Sequence, residues 1–224
     1  MGNIMDYIEW RGDLPFTQSE FNDVDNLILA CFSYVNLDGI QEAASQNGIE
    51  LKALTEKFLQ LHTEKELKED KSFIRFAPFM MLEMAKTERF GQCVIRNYVN
   101  EIVAEEAQQF SAVEICLSDG TSYISFRGTD DTIVGWKEDF NLSTGVVPAQ
   151  ERAVEYLRRI AGSLQEMVRV GGHSKGGNLA VYGAVMCKEI HPWILQVYSN
   201  DGPGFSREFL ELPETEAQIG RAHV

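Results

Sequence analysis

The residues best suited to covalent chemistry lie at positions 172–176, where the sequence reads GHSKG. An apolar run at 167–170 precedes this pentapeptide, and a helix-compatible segment at 178–186 follows it. In the order strand, tight turn, helix, a GxSxG pattern forms a nucleophile elbow, which presents a serine hydroxyl at the end of a parallel strand. The pattern therefore predicts that Ser174 is a nucleophile, with glycines beside it because a Cβ there would collide with the neighbouring strand and helix.

A serine nucleophile needs an oxyanion hole, in which backbone N–H groups face the negative charge that develops on the substrate. The elbow supplies one of these groups, the N–H of Lys175, at the positive end of the predicted helix. The second group should come from a loop at the end of a neighbouring strand. The sequence FRGT at 126–129 occupies that position.

In proteins with a nucleophile elbow, the general base is a histidine that comes late in the chain, after the acid. Of the four histidines, His62 lies on a polar helical segment before the sheet. His173 precedes the nucleophile, where its side chain should diverge from the serine hydroxyl and pack. His191 falls at the end of the helix after Ser174, where a cationic side chain suits a helix C-terminus. His223 alone has the expected order.

The context of His223 argues against it, because residues 219–224 are what a common sequencing-library adapter encodes, and Gln218 fits the same reading. We predict that native coding ends near Ala217 and that residues 218–224 are a non-native tail. The acid and base would then lie in sequence that this chain lacks, and residues 1–224 should be inactive or nearly so. Native genomic sequence that encodes this tail would contradict the prediction.

Several other polar side chains allow two interpretations of their role. Asp201 follows the strand after the elbow helix, where some α/β-hydrolases draw their acid; the alternative, implied by the family that the motifs below resemble, is a substrate-side loop with the acid further along the chain. The Lys175 side chain is expected in contact with solvent or substrate, since a serine–lysine dyad would need adjacent residues to converge. Arg127 is expected in a buried salt bridge, with an anionic substrate group as the alternative. Asp139 should organise the oxyanion loop, with a catalytic role as the alternative. The pair at 130–131 lacks further ligands, so neither metal nor cofactor is expected.

Composition narrows the class of protein. The 224 residues, with 44% apolar and 24% charged side chains, suit one soluble α/β domain with an elaboration. A net charge of −14 argues against nucleic acid and anionic lipid head groups as partners. No signal peptide or membrane span is apparent, so no stable membrane insertion is expected. The scattered cysteines suit a reducing compartment, which makes cytoplasmic the expected location; the oligomeric state is left open.

The periodicity predicts helices first and alternating strands and helices later. Residues 17–67 read as helical, starting at a capping-box pattern at 17–20 and broken at Gly39. Pro78 should lie in the first turn of a helix that Gly91 closes. The later predictions are strands at 98–103, 112–117, 121–126, 167–170 and 193–198, with helices at 149–164 and after Ser174.

This order predicts an α/β-hydrolase fold, a mostly parallel sheet with crossover helices, that is incomplete at its C-terminus. We expect residues 1–95 to form a helical elaboration that packs on the sheet and residues 96–217 to form the incomplete core. The apolar N-terminal helices are further expected to cover the site as a lid, which would favour acyl-chain substrates.

Several motifs together resemble a family of bacterial lipase-like α/β-hydrolases of unassigned function: DYIEWRGD at 6–13, FNDVDN at 21–26, GHSKGGNLA at 172–180 and NDGPGF at 200–205. The FRGT loop with a downstream Trp136 and Asp139 is similar to the class 3 (fungal-type) lipases. The resemblance spans nearly the whole chain and implies an ester or lipid hydrolase. It also implies that Ser174 is the nucleophile and that the N–H groups of Thr129 and Lys175 form the oxyanion hole. The alternative is a non-catalytic scaffold that binds a lipid or protein partner.

Overall fold

The chain forms a mixed sheet with helices on both faces. The computed structural model describes residues 2–69, 72, 74–103, 108–129, 146–218 and 222–223. Within them the sheet has strands in sequence order: β1 (Ile49–Glu50), β2 (Val94–Val103), β3 (Gln108–Cys116), β4 (Ser122–Phe126), β5 (Val168–His173), β6 (Ile194–Asn200) and β7 (Ala222–His223). The pairings from β1 to β4 are antiparallel and those from β4 to β7 are parallel.

The helices fall into two groups along the chain. Before β2 come α1 (Ile4–Arg11), α2 (Asp23–Phe32), α3 (Gln41–Ala44), α4 (Leu51–Leu61), α5 (Glu64–Glu69) and α6 (Phe76–Met84). After β4 come α7 (Pro148–Ala161), α8 (Lys175–Met186), a 3₁₀ helix (Lys188–Trp193), α9 (Arg207–Leu210) and α10 (Pro213–Gln218). Because α7 and α8 connect parallel strands, they are the crossover helices that the sequence predicts. The predicted α/β fold is confirmed, and its parallel half carries the elbow.

Strand β4 lies between two hydrophobic clusters, and all five of its residues are buried. Successive side chains of a strand point to opposite faces. Tyr123 therefore joins the cluster formed by α1, α2, α4 and α6, whereas Ile124 and Phe126 join the cluster under α7 and α8. The N-terminal helices and one face of the sheet thus form one of the two large hydrophobic clusters. Helix α2 packs on β4, β5 and β6 directly, so this helix is part of the core and not a lid.

Two predicted helix ends are wrong. Helix α2 starts at Asp23 and not at the 17–20 pattern, because the Asn22 side chain accepts the Val24 N–H at 2.9 Å and Asp25 caps the Asn22 N–H in return at 3.0 Å. Helix α6 ends at Met84, well before Gly91, although Pro78 does lie in its first turn as predicted. The predicted break at Gly39 is confirmed, with φ at +89°.

A buried ion pair ties the N-terminal segment together. Arg89 and Asp25 are both 0% exposed, and their side chains pair at 2.7 and 2.5 Å. The remaining Arg89 donors bind the carbonyl oxygens of Leu14, Ser19 and Glu20 at 2.9–3.1 Å. The guanidinium therefore joins the loop after α1 to the first turn of α2. No helix in the described ranges is long and apolar enough to cross a membrane.

Candidate active site

Ser174 lies in the turn between β5 and α8 with a strained backbone. Its φ of 55° and ψ of −129° lie outside the regions that side chains with a Cβ prefer. Such a conformation costs about 1–3 kcal/mol and persists only where the surrounding structure holds it. The strain therefore indicates that the fold presents this serine at the end of a parallel strand, as a nucleophile elbow requires.

The glycine at position 176 lets the elbow approach strand β4. A Cβ on Gly176 would lie 2.1 Å from the Phe126 carbonyl oxygen, closer than real Cβ contacts allow. Gly172 is similarly confined, since its Cβ would lie 2.4 Å from the backbone of Gly176. The reason predicted for the two glycines, close approach of backbone to backbone, is therefore present in the structure.

Asn200, at the end of β6, clamps the elbow backbone on two sides. Its carbonyl oxygen accepts the Ser174 N–H at 2.8 Å, and its side-chain amide donates to the Gly172 carbonyl at 3.1 Å. Asn26 on α2 holds the Asn200 side chain with an amide–amide hydrogen bond of 2.7 Å. The Tyr123 hydroxyl in turn donates to Asn26 at 2.7 Å. A buried polar network thus fixes the backbone around Ser174 from the α2 side.

The predicted oxyanion loop lies directly against the elbow. A Cβ on Gly128 would be 2.2 Å from the Tyr34 hydroxyl and 2.5 Å from the His173 carbonyl oxygen. Thr129, the next residue, is buried at 7% exposure. On the elbow side, Lys175 is the first residue of α8, where backbone N–H groups have no acceptor within the helix. The structure therefore brings the Thr129 segment and the helix N-terminus to the same edge of the sheet.

The Lys175 side chain does not lie where the sequence analysis expects it. It is only 1% exposed, and Nζ donates to the Gln109 carbonyl oxygen of β3 at 2.9 Å. The expectation of solvent or substrate contact is wrong, because the side chain turns under the elbow towards the sheet. The same direction argues against the serine–lysine dyad.

Arg127 is buried as expected, but its described partner is not a carboxylate. Its Nη2 donates to the Asn100 side-chain oxygen at 2.9 Å, and Asn100 donates to Asp38 at 2.7 Å. No acidic side chain in the described residues pairs with Arg127 directly. The Asp38 carboxylate is therefore linked to the positive charge of Arg127 indirectly, through the Asn100 amide.

Three of the histidines have described contacts away from the serine hydroxyl. The His62 ring packs on Phe58, with ring centroids 4.5 Å apart. His191 Nε2 lies 2.9 Å from the Ala184 carbonyl in the last turn of α8, so its predicted place at the helix C-terminus is confirmed. His173 Nδ1 lies 2.9 Å from the Tyr34 hydroxyl. Burial lowers the pKa of His173, while the charge of Asp201 opposes this change.

Asp201 follows β6 and starts the NDGPGF loop. It is exposed and has a φ of 54°, a conformation that favours a turn. Asn178 on α8 holds the loop by donating to the carbonyls of Pro203 and Gly204 at 3.1 and 3.3 Å. The structure therefore brings Asp201 to the same edge of the sheet as Ser174. Asp139, Trp136 and the pair at 130–131 lie outside the described residues.

One group of side chains has the spacing of a metal site. Ligand atoms of Glu114, Cys116 and Glu166 lie within 4.8 Å of one another. However, Arg96 Nη2 already binds the two carboxylates at 2.9 and 2.5 Å, so the Arg96 guanidinium supplies the positive charge that a metal ion would otherwise supply. The group lies at the opposite end of the parallel strands from Ser174. We therefore assign no metal to it.

The mixed sheet, the crossover helices and the sharp turn at Ser174 define a lipase-like α/β fold. The chain is similar in structure to M37 lipase, with a TM-score of 0.52 and 15% sequence identity over 88% of this chain and 64% of that lipase. The sequence model of the Mbeg1-like family matches residues 84–223, more than half of the chain, so this protein belongs to the Mbeg1-like family. A comparison with curated proteins finds no match. The chain thus spans 64% of the length of the lipase that it resembles.

Sequence reasoning missed Tyr34 and gave no role to Asn178. Tyr34 meets His173 across 139 positions of the chain, and no local pattern marks such a contact. Asn178 is different, since it belongs to the GHSKGGNLA motif. An asparagine on the apolar helix behind an elbow is a signal that its amide binds backbone groups of a neighbouring loop.

Proposed function

We propose that this protein is a serine hydrolase of carboxylic esters, with lipid or other acyl esters as substrates. Ser174 Oγ would attack the ester carbonyl carbon, and the alcohol would leave to give an acyl-enzyme that water then hydrolyses. The N–H groups of Thr129 and Lys175 would hold the oxyanion of each tetrahedral intermediate. The strained backbone of Ser174 is the single observation that carries this proposal.

The proton acceptor is proposed to lie outside the three histidines whose contacts are described. His62, His173 and His191 each face a partner other than Ser174. Asp201 stays a candidate for the acid, with an acid in the missing C-terminal sequence as the alternative. Three expectations also stay predictions: the non-native tail at 218–224, the division at residue 95 and the cytoplasmic location.

A test that needs no general base replaces Ser174 with cysteine. Since a thiolate is itself the nucleophile, Cys chemistry at this position reports on the site without a histidine. Burial raises the pKa of the native thiols to about 11 for Cys31, Cys116 and Cys187, so their background reaction is slow. Two rates are measured for Ser174→Cys: alkylation by iodoacetamide, and acylation by p-nitrophenyl acetate, which releases p-nitrophenolate. Only acylation develops an oxyanion, so the ratio of the two rates isolates the oxyanion hole.

The matched control is Ser206→Cys. Ser206 also precedes a helix, α9, and its side chain accepts the Phe209 N–H, but its backbone is in the ordinary extended region, with φ at −63° and ψ at 155°. We expect the acylation-to-alkylation ratio at position 174 to exceed that at position 206 by at least tenfold, since one oxyanion donor contributes about 10²–10³ in rate in serine hydrolases. Equal ratios at the two positions would refute the hydrolase site.

A fluorophosphonate probe distinguishes the enzyme from the non-catalytic scaffold on the full-length protein. Labelling that disappears in Ser174→Ala supports the enzyme. Folded protein that is not labelled, together with equal cysteine ratios, supports the scaffold. Esterase turnover by residues 1–224 that Ser174→Ala abolishes would instead show that the base lies within this chain.

A further inference from the structure

The Tyr34 side chain joins three segments around the elbow. Tyr34 follows the C-terminus of α2 and is 4% exposed. Its hydroxyl is 2.9 Å from His173 Nδ1 and 3.5 Å from the His173 carbonyl oxygen. The two rings also pack edge to face, with centroids 5.9 Å apart. The last residue of β5, directly before Ser174, is therefore bound to the N-terminal helices.

The same hydroxyl also faces the loop on the other side of the site. The 2.2 Å that would separate a Gly128 Cβ from the Tyr34 hydroxyl means that this oxygen fills the space above the Gly128 backbone. The His173 carbonyl oxygen confines Gly128 from the elbow side at 2.5 Å. Gly128 is therefore held between Tyr34 and the elbow, one residue before Thr129.

The direction of the hydrogen bond depends on the tautomer of His173. Burial lowers the pKa of His173, which favours the uncharged ring. In the tautomer that carries its proton on Nε2, Nδ1 accepts a hydrogen bond from the Tyr34 hydroxyl; in the other tautomer, Nδ1–H donates to the hydroxyl. A core tyrosine would need only one partner for its hydroxyl. Here the hydroxyl lies at the point where the elbow and the loop meet.

We propose that Tyr34 is a positioning residue whose hydroxyl fixes the His173 end of β5 against Gly128 and thereby sets the distance between the Ser174 hydroxyl and the Thr129 N–H. This inference rests on the proposed hydrolase function. Catalytic groups must be held to within about 0.5 Å, and hydrogen bonds from neighbouring side chains supply that precision. Tyr34 does not touch the reacting atoms in this scheme, so its effect must pass through the loop and the elbow.

The test is Tyr34→Phe in the Ser174→Cys protein, with the acylation-to-alkylation ratio as readout. A lost hydrogen bond is worth about 0.5–1.5 kcal/mol, and tenfold in rate corresponds to about 1.4 kcal/mol. The ratio should therefore fall by about twofold to tenfold. A merely structural role would lower the stability of the fold and leave the ratio unchanged.

Tyr7→Phe is the matched control. The Tyr7 hydroxyl also binds polar partners, Asp25 at 3.2 Å and Asn22 at 2.7 Å, but these lie at the start of α2, away from the elbow. Its loss should reduce stability without changing the ratio. The inference is overturned if Tyr34→Phe leaves the ratio unchanged or if Tyr7→Phe lowers it equally.

A second variant covers the case in which Tyr34→Phe does not fold. Gly128→Ala adds a methyl group to the same contact from the loop side and should also lower the ratio. Gly162→Ala, at the end of α7, should not, because its Cβ would lie 3.7 Å from the Arg159 carbonyl oxygen, an ordinary contact. An unchanged ratio in Gly128→Ala likewise overturns the inference. If the Ser174→Cys parent already matches the Ser206→Cys control, the hydrolase function fails and this inference falls with it. If the acylation-to-alkylation ratio is high in the Ser174→Cys parent and Tyr34→Phe does not change it, the positioning role of Tyr34 is refuted and the hydrolase function is not.

Discussion

Removing the guanidinium of Arg89 should be among the most destabilising single changes in the chain. Arg89→Met keeps an apolar stem of similar length but leaves the Asp25 carboxylate, which is 0% exposed, without its counter-ion. Truncating one partner of a buried ion pair typically lowers the free energy of unfolding by about 3–5 kcal/mol. The value should lie in the upper part of this range, because the carbonyls of Leu14, Ser19 and Glu20 lose their donor as well.

Urea and thermal unfolding measure this loss. For a chain of this size each kcal/mol shifts the melting temperature by roughly 2–4 °C, so a fall of about 6–20 °C is expected. The control is Arg207→Met, which removes an ion pair with Glu211 whose side chains are 86% and 63% exposed. Exposed pairs contribute about 0–1 kcal/mol. A loss below about 1 kcal/mol in Arg89→Met, or equal losses in both variants, would refute the reasoning.

Two further changes test the elbow and its neighbour. Because the pKa of His173 is lowered in the folded protein, its neutral form contributes stability that is fully present above the unfolded value of about 6.5 and is lost as the pH falls through the folded value. The stability difference between wild type and His173→Gln should therefore be larger at pH 8 than at pH 5; a constant difference contradicts the assignment. Gly176→Ala should destabilise by about 1–3 kcal/mol, since its Cβ would lie 2.1 Å from the Phe126 carbonyl oxygen, whereas Gly204→Ala in open space should change stability by less than about 1 kcal/mol. Similar losses in the two alanine variants, measured by urea unfolding, would count against close packing at the elbow.

The elbow was predictable because its signal is local. Strand, turn and helix follow one another between residues 167 and 186, and the two glycines report a close approach that backbone geometry alone demands. The predicted strands at 112–117 and 121–126 leave only a three-residue turn between them, and Gly120 in this turn has a positive φ of 79°.

The contacts around the elbow were not predictable, because they join distant segments. The burial of Lys175 depends on Gln109 at the start of β3, whose carbonyl oxygen accepts a hydrogen bond from Nζ. A lysine beside Ser174 reads as exposed when only its sequence neighbours are known. The start of α2 was placed too early for a related reason. Both 17–20 and 22–25 have capping-box spacing, and the choice between them depends on Arg89, which lies 64 positions after Asp25.

Helix α2 connects the stability of the fold to the geometry of the site. Its first turn holds Asp25, which pairs with Arg89, and the next residue, Asn26, binds the Asn200 side chain that clamps the elbow. Tyr34, just beyond its last turn, binds His173. These contacts share one short helix, so residues that stabilise the fold and residues that support Ser174 lie close together on it. A lid would have to be a separate, movable element, whereas α2 is part of the core and binds Asn200 beside the Ser174 backbone.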